Sequence, residues 1–162
     1  MKKVFLCVIL VMLCVSSAFG GATEDLLEAA KSGNTTPKML QALIKLGANV
    51  NVKDKDGATA LMWTASMNSN PEAVKTLINA GAKVNAKNKN GVTVLMYAAI
   101  GSNNPEVIRT LVKSGANMKA MDKNGATALM LAAAVNSNPE VVKTLIKLGA
   151  DVNAKNKFGL RP

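Results

Sequence analysis

The chain has 162 residues, of which 20 are Lys or Arg and 10 are Asp or Glu, and it contains no histidine. Its length suits one domain with a sizeable core, and an apolar content of 49% excludes a disordered basic tail. The lack of histidine excludes the catalytic triads, metal clusters and pH switches that depend on that residue. An aromatic content of 3% argues against a surface built to stack nucleic-acid bases.

Residues 1–20 have the pattern of a secretory signal peptide. Two lysines precede an apolar run from residue 4 to residue 15, and small residues follow it. The run is too short to span a bilayer comfortably and no charged stop-transfer segment follows it, so we expect cleavage rather than a retained anchor. We place the cut after Gly20, with cuts after Ala18 or Ala22 as alternatives.

Both cysteines, Cys7 and Cys14, lie in this segment. Lipoprotein processing at Cys14 is an alternative, but Leu13 stands where lipoprotein signals have a small residue. The mature chain therefore has no thiol and no disulfide. Without the two N-terminal lysines it carries 18 basic and 10 acidic residues, a net charge of about +8. We expect export to the periplasm or exterior of a bacterial cell, with no stable membrane span after cleavage.

The rest of the sequence repeats with a period of 34 residues. The string Gly-Ala-Thr-Ala-Leu-Met begins at Gly57 and Gly125, and it recurs with two valines at Gly91. Other motifs keep the same step: Gly-Ala at 47, 81, 115 and 149, and Asn-Pro-Glu at 70, 104 and 138. Several motifs in one register indicate a tandem array whose units bury their apolar faces on their neighbours.

Each unit contains signals for two helices. Thr59 is a good N-cap for a first helix over about 60–67, and Asn70 with the following proline starts a second helix. Gly81 ends the second helix as a left-handed cap. The polar stretch 83–90 then predicts an extended excursion closed by a turn.

These residues resemble the ankyrin repeat. The stretch 122–133 matches the family's D-x-x-G-x-T-P-L-H-x-A-A pattern in part, and 149–154 matches its G-A-D-V-N-A pattern throughout. The resemblance covers residues 24 to 162 and implies an all-α solenoid of helix-turn-helix units with long hairpin-like loops. Within an ankyrin-repeat domain at 21–162 we count units at 24–56, 57–90, 91–124 and 125–158. Asp25 and Glu28 have capping-box spacing at the start of the first unit.

The final residues, 159–162, resemble the opening of a fifth unit. Either the last helix pair has an uncovered face, or the sequence is part of a longer chain. The family's histidine is replaced by Met62, Met96 and Met130, which we expect to supply its volume but not its hydrogen bonds. A usual repeat has 33 residues; the extra residue falls at 68–70 between the helices, where it should not disturb stacking.

The resemblance implies a non-enzymatic binding scaffold, with partner contacts at the loop tips and the exposed side of the first helices. We assign no cofactor, no metal and no catalytic residue. The partner-binding hypothesis rests on basic loop tips and an apolar floor, formed by Lys53, Lys55, Met67, Lys87, Lys89, Val92, Ile100, Lys123, Val135 and Lys155. Ala58 and Ser66 occupy matching positions. The alternative is that the lysines only keep the protein soluble.

Other repeated residues have structural interpretations. Lys75, Arg109 and Lys143 each follow a glutamate by three residues and should form pairs worth about 0.2–0.5 kcal/mol. Trp63 and Tyr97 share one register and are expected to stack in the interior.

These patterns lead to one principal functional hypothesis. It is a monomeric, exported scaffold that binds a protein with an acidic and partly apolar surface, and not nucleic acid. The alternative is a salt-sensitive binder of an anionic polymer or membrane surface. No motif proposes a reaction, so we expect no enzymatic activity.

Overall fold

Eight α-helices lie in the part of the chain that the computed structural model describes, residues 21–68 and 70–162. The predicted signal segment, residues 1–20, lies outside the described residues. No helix in the described part is long and apolar enough to cross a membrane. The helices are α1 Ala22–Lys31, α2 Pro37–Lys45, α3 Ala60–Met67, α4 Pro71–Asn79, α5 Val94–Gly101, α6 Pro105–Lys113, α7 Ala128–Val135 and α8 Pro139–Lys147.

The helices form a two-layer, all-α solenoid. The first helices of the units stack in one layer, where α1 packs on α3, α3 on α5 and α5 on α7. The second helices stack in the same order in the other layer, α2 to α8. The core between the layers is made of small and branched apolar side chains, including Leu26, Leu61, Leu95, Leu129, Val74, Val107 and Val141. This arrangement confirms the fold class expected from the repeat.

Threonine side chains start three of the first helices, as the sequence predicts. The Thr59 hydroxyl accepts a hydrogen bond from the backbone nitrogen of Met62 at 3.3 Å, and Thr93 and Thr127 cap α5 and α7 in the same way. The backbone nitrogen of Thr59 donates in return to the Met62 sulfur at 3.4 Å, and Thr93 does so to Met96. These methionines therefore form a weak bond that we did not expect from the sequence.

Asparagine and proline start the second helices. The Asn70 side chain accepts from the backbone nitrogen of Glu72 at 3.0 Å, and the equivalent caps precede α6 and α8. Proline occupies the first helical position, where its missing N–H is not needed. Gly81 follows α4 with a φ of 93°, which confirms the left-handed cap.

The start of the first unit differs from the expectation. Helix α1 begins at Ala22, ahead of the predicted capping box, because Glu24 accepts a hydrogen bond from the backbone nitrogen of Gly21 at 2.8 Å. The carboxylate also lies in the first turn, where the helix dipole favours negative charge. Capping by Glu24 therefore lengthens α1 at its N-terminal end.

In the second and fourth units, the insertion between the two helices adds a link to the preceding unit. Asn68 is buried, and its amide donates to the carbonyl oxygen of Thr35 in the preceding unit at 2.6 Å. Asn136 donates likewise to Ala99 and Ser102 at 2.8 and 3.0 Å. The stacking of the first helices is retained across this loop, as expected, and the loop also satisfies backbone carbonyls that packing alone would leave without partners.

A second set of asparagines joins the long loops. The Asn51 side chain donates to the carbonyl of Gly81 at 3.0 Å and accepts from the backbone nitrogen of Lys83 at 2.9 Å. Asn85 forms the same two bonds with the third unit, both at 2.8 Å. These double bridges fix the register between the first and second, and the second and third, units.

Candidate partner-binding surface

The tips of the long loops form one hydrogen-bonded row along the solenoid. The backbone nitrogen of Lys89 donates to the carbonyl of Asp56 at 2.9 Å, and that of Lys123 donates to Asn90 at 2.9 Å. Lys157 is joined to the preceding loop in the same way at 3.0 Å. Because each tip is tied to the one before it, equivalent side chains follow one another in fixed order along one edge.

Seven exposed lysines lie along this row, and we call them the lysine rim: Lys53, Lys55, Lys87, Lys89, Lys123, Lys155 and Lys157. The salt bridges found among residues 21–68 and 70–162 include none of these lysines. Their ammonium groups are therefore not neutralised by ion pairs within the described chain.

Three basic residues of the second helices are paired instead. Lys75, Arg109 and Lys143 lie 2.6–2.7 Å from the glutamate three residues earlier, which confirms the prediction. The hydrogen bond from Lys143 lowers the pKa of Glu140. Exposed pairs of this kind contribute little stability. Four other exposed lysines of the second helices, Lys38, Lys45, Lys113 and Lys147, take part in none of the salt bridges of the described residues, so the outer face keeps positive charge as well.

The residues that close the long loops also affect the net charge near the lysine rim. Asp54 accepts hydrogen bonds from the backbone nitrogens two and four residues later, at 3.0 and 2.9 Å, and Asp122 forms the same pair at 2.8 Å. Asn88 and Asn156 close their loops with the same two bonds. Two of the four loops are thus closed by a neutral amide, where the family pattern has a carboxylate.

The apolar floor is partly as predicted. Met67, Ile100 and Val135, at the ends of the first helices, are 51%, 40% and 62% exposed. Val92 was also expected to be exposed, but it is half-buried against the core. The backbone nitrogen of Val92 donates to the Asn88 side chain, and the Val92 carbonyl accepts from the Asn88 backbone nitrogen. These two bonds hold Val92 in the turn with its side chain towards the core.

Two matching positions belong to the packing rather than to the surface. Ala58 is completely buried, and Ser66 is 8% exposed. A side chain on Gly101 would begin 2.0 Å from the Ser66 hydroxyl oxygen. Helices α3 and α5 therefore approach each other closely at this end, which covers Ser66 and excludes it from a partner surface.

The two aromatic residues form a half-buried cluster beside the rim. Trp63 and Tyr97 stack edge to face with ring centroids 5.6 Å apart. Stacking is thus confirmed, although neither ring is fully interior. The Trp63 indole nitrogen donates to Asp54 at 2.9 Å, and Asn88 donates to the Tyr97 hydroxyl at 3.3 Å. Lys31 lies 5.8 Å from the Trp63 ring, a contact that the repeat register did not predict.

Asp54 is held as a carboxylate by this cluster. Burial alone raises the pKa of Asp54, but hydrogen bonds from Trp63 and from two backbone nitrogens, with the charge of Lys31, outweigh it and lower the pKa. Lys31 lies 3.9 Å from the carboxylate. Among the described residues, the ion pair of Asp54 is therefore with Lys31 and not with a lysine of the rim.

The described residues contain no group of three or more histidine, cysteine, aspartate or glutamate side chains arranged to hold a metal ion. A family model described as ankyrin repeats, in three copies, matches residues 26–122 and 65–156. The two matches together extend over most of the chain. No curated protein matches it.

Proposed function

Because the chain belongs to the ankyrin-repeat family, whose repeats generally mediate protein–protein interaction and are typically not enzymes, we propose that it is a scaffold that binds a partner protein outside the cytoplasm. The partner contacts the lysine rim and the exposed ends of the first helices. The observation that carries this proposal is the regular row of exposed rim lysines without ion pairs, together with the exposed apolar side chains of Met67, Ile100 and Val135.

The chemistry of the surface favours a partner with acidic and apolar groups together. The rim supplies ammonium groups at each loop tip, and Met67, Ile100 and Val135 supply one exposed apolar side chain in each of three units. Charge complementarity of this kind increases association rates and selects partners, while burial of the apolar groups adds affinity. An acidic, partly apolar protein segment satisfies both.

Charge reversal on the two faces tests the proposal. The triple variant Lys55→Glu/Lys89→Glu/Lys123→Glu changes the rim, and Lys75→Glu/Arg109→Glu/Lys143→Glu makes the same change of charge on the outer face. Capture from the cell-envelope fraction, with crosslinking, should recover a specific partner with the wild type and the outer variant. The rim variant should lose it; equal recovery by both variants would show that the rim is not the contact surface.

Binding measured at increasing salt, and against several polyanions, separates a protein partner from a polyanion or an anionic membrane. A general polyanion binder would lose affinity steeply with added salt and would not discriminate among heparin, nucleic acid and anionic vesicles. The proposal instead expects one partner that persists at physiological salt. Binding that is equal for all polyanions would replace it.

Export follows from the sequence of residues 1–20 and is tested separately. Intact-mass measurement of the protein from the extracytoplasmic fraction should give a chain that begins at Gly21. A cytoplasmic protein that retains residues 1–20 would contradict export, with no effect on the test of the rim.

A further inference from the structure

The junction between the third and fourth units departs from the other two. Lys119 occupies the register of Asn51 and Asn85, so the double asparagine bridge is not formed there. Met121 occupies the register of the rim residues Lys53 and Lys87. Those two lysines form isolated β-bridges with the threonine that caps the next helix, whereas no such bridge closes the third loop in the described chain.

A cavity of about 250 Å³ lies at this junction. It is lined by Met118, Lys119 and Met121 of the third unit and by Thr127, Gly149, Ala150, Asp151 and Ala154 of the fourth. A Cβ atom added to Gly149 would lie 4.0 Å from the methyl group of Met118. At the other two junctions, the equivalent glycines, Gly81 and Gly115, accept the asparagine bridge. Sites that enclose a small molecule usually measure about 300–1,000 Å³, so this cavity suits one side chain better than a metabolite.

Lys119 lines the cavity, and Lys155 directly follows the lining residue Ala154. Lys119, Lys123 and Lys155 are exposed, and none of them takes part in the ion pairs of the described residues. Asp151 is the acidic residue in the lining, and its carboxylate accepts a hydrogen bond from the backbone nitrogen of Asn153 at 2.8 Å. An apolar group entering the cavity would therefore contact Lys119 in the lining, with Lys123 and Lys155 close to lining residues in the sequence.

We propose that the Met118–Met121 cavity receives one apolar side chain of the acidic partner segment, whose flanking carboxylates pair with these lysines. This inference rests on the proposed function and adds an anchor position to it. Methionine side chains adapt their shape to what they contact, which suits a lining that closes around an inserted group. A buried anchor within a charged border is the arrangement that concentrates binding energy at interfaces.

Two synthetic peptides test the anchor. One is a short chain of Glu and Ser with a single central Leu, and the other has Ala in place of the Leu. The mature protein should bind the Leu peptide about tenfold more tightly in calorimetry, as expected for burial of about two further CH₂ groups. Met121→Lys places at this position the lysine that the other units have there. It should abolish the preference for the Leu peptide without lowering the affinity for the Ala peptide.

Two further variants separate the anchor from the rim. Leu46→Lys makes the same change of charge and polarity at an exposed residue after α2, and it should keep the tenfold preference. Lys89→Glu should weaken both peptides equally. If both peptides bind equally to the wild type, or Met121→Lys keeps the preference, the anchor is wrong while the rim stands. If neither peptide binds, the anchor and the acidic character of the partner are both wrong.

Discussion

A methyl group on Gly101 has less room than the repeat register suggests. Met67 and Val135 occupy the same register in the neighbouring units, and both are exposed. Around Gly101, however, an added Cβ would lie 2.0 Å from the Ser66 hydroxyl oxygen and 2.9 Å from the Ser66 carbonyl oxygen. The hydroxyl can rotate away but the carbonyl belongs to the backbone, so Gly101→Ala must push α5 away from α3.

The expected cost follows from two opposing effects. Overpacking of a close contact costs about 1–3 kcal/mol. Alanine recovers at most about 1 kcal/mol because it is the better helix former. We therefore expect Gly101→Ala to lower the free energy of unfolding by about 1–2 kcal/mol and the melting temperature by about 3–6 °C.

Urea unfolding, followed by circular dichroism and Trp63 fluorescence, measures this change. Val135→Ala, at the same register but exposed, should stay within about 0.5 kcal/mol of the wild type. The double variant Gly101→Ala/Ser66→Ala lacks the hydroxyl and should recover part of the loss. A Gly101→Ala protein as stable as the wild type, or more stable, would refute the close approach of α3 and α5 as a constraint on the stack.

Three other substitutions have defined outcomes. Asp54→Asn should keep the two bonds that close the loop, since Asn88 forms them in the next unit, but it removes the oxygen that accepts from Trp63. The free energy of unfolding should therefore fall by about 1–2 kcal/mol at neutral pH. Since the folded-state pKa of Asp54 lies below 3.8, its contribution is present above about pH 4 and disappears as the pH falls through the folded pKa; a difference between wild type and variant that stays constant on acidification would contradict this. Thr64 has a buried hydroxyl without a hydrogen-bond partner among the described atoms. Thr64→Val should therefore raise the free energy of unfolding by about 1 kcal/mol, seen as a higher urea midpoint. A lower midpoint would show that the hydroxyl is hydrogen-bonded. Lys119→Asn should restore the asparagine bridge and stabilise the chain by about 1 kcal/mol, which unchanged thermal unfolding would disprove.

The periodic features of the fold could be predicted from the sequence because they depend on local chemistry. The bounds of α3, the Thr59 and Asn70 caps and the left-handed Gly81 all follow from residues within a few positions of one another. The 34-residue step then determines which helices stack. The outer ion pairs were predictable for the same reason, since each joins residues three positions apart.

Contacts between units could not be predicted in this way. Asn68 looks like a loop residue in the sequence, yet it donates to Thr35 in the preceding unit. The burial of Val92 and Ser66 depends on how a turn faces and how closely two helices approach. Lys31 pairs with Asp54 from a unit whose sequence is atypical. Such contacts depend on relative positions in space that the repeat register leaves open.

Departures from the repeat were visible in the sequence but had no evident meaning there. Lys119 and Met121 can be read from the alignment of the units, and the structure adds that both line one cavity. The exposure of the rim lysines was predicted. Their lack of ion pairs required the structure, because Asp54 and Asp122 are close in sequence and are nevertheless used within their own loops.

A photo-crosslinking residue placed on each face measures most directly which surface binds the partner. Asn90 is exposed at a tip beside the rim, and Asn79 is exposed at the end of α4 on the outer face, so the two substitutions are matched in residue type and exposure. In native cells, illumination should give a partner adduct of defined mass from position 90 and none from position 79. An adduct from position 79 alone would contradict a scaffold that binds through its lysine rim.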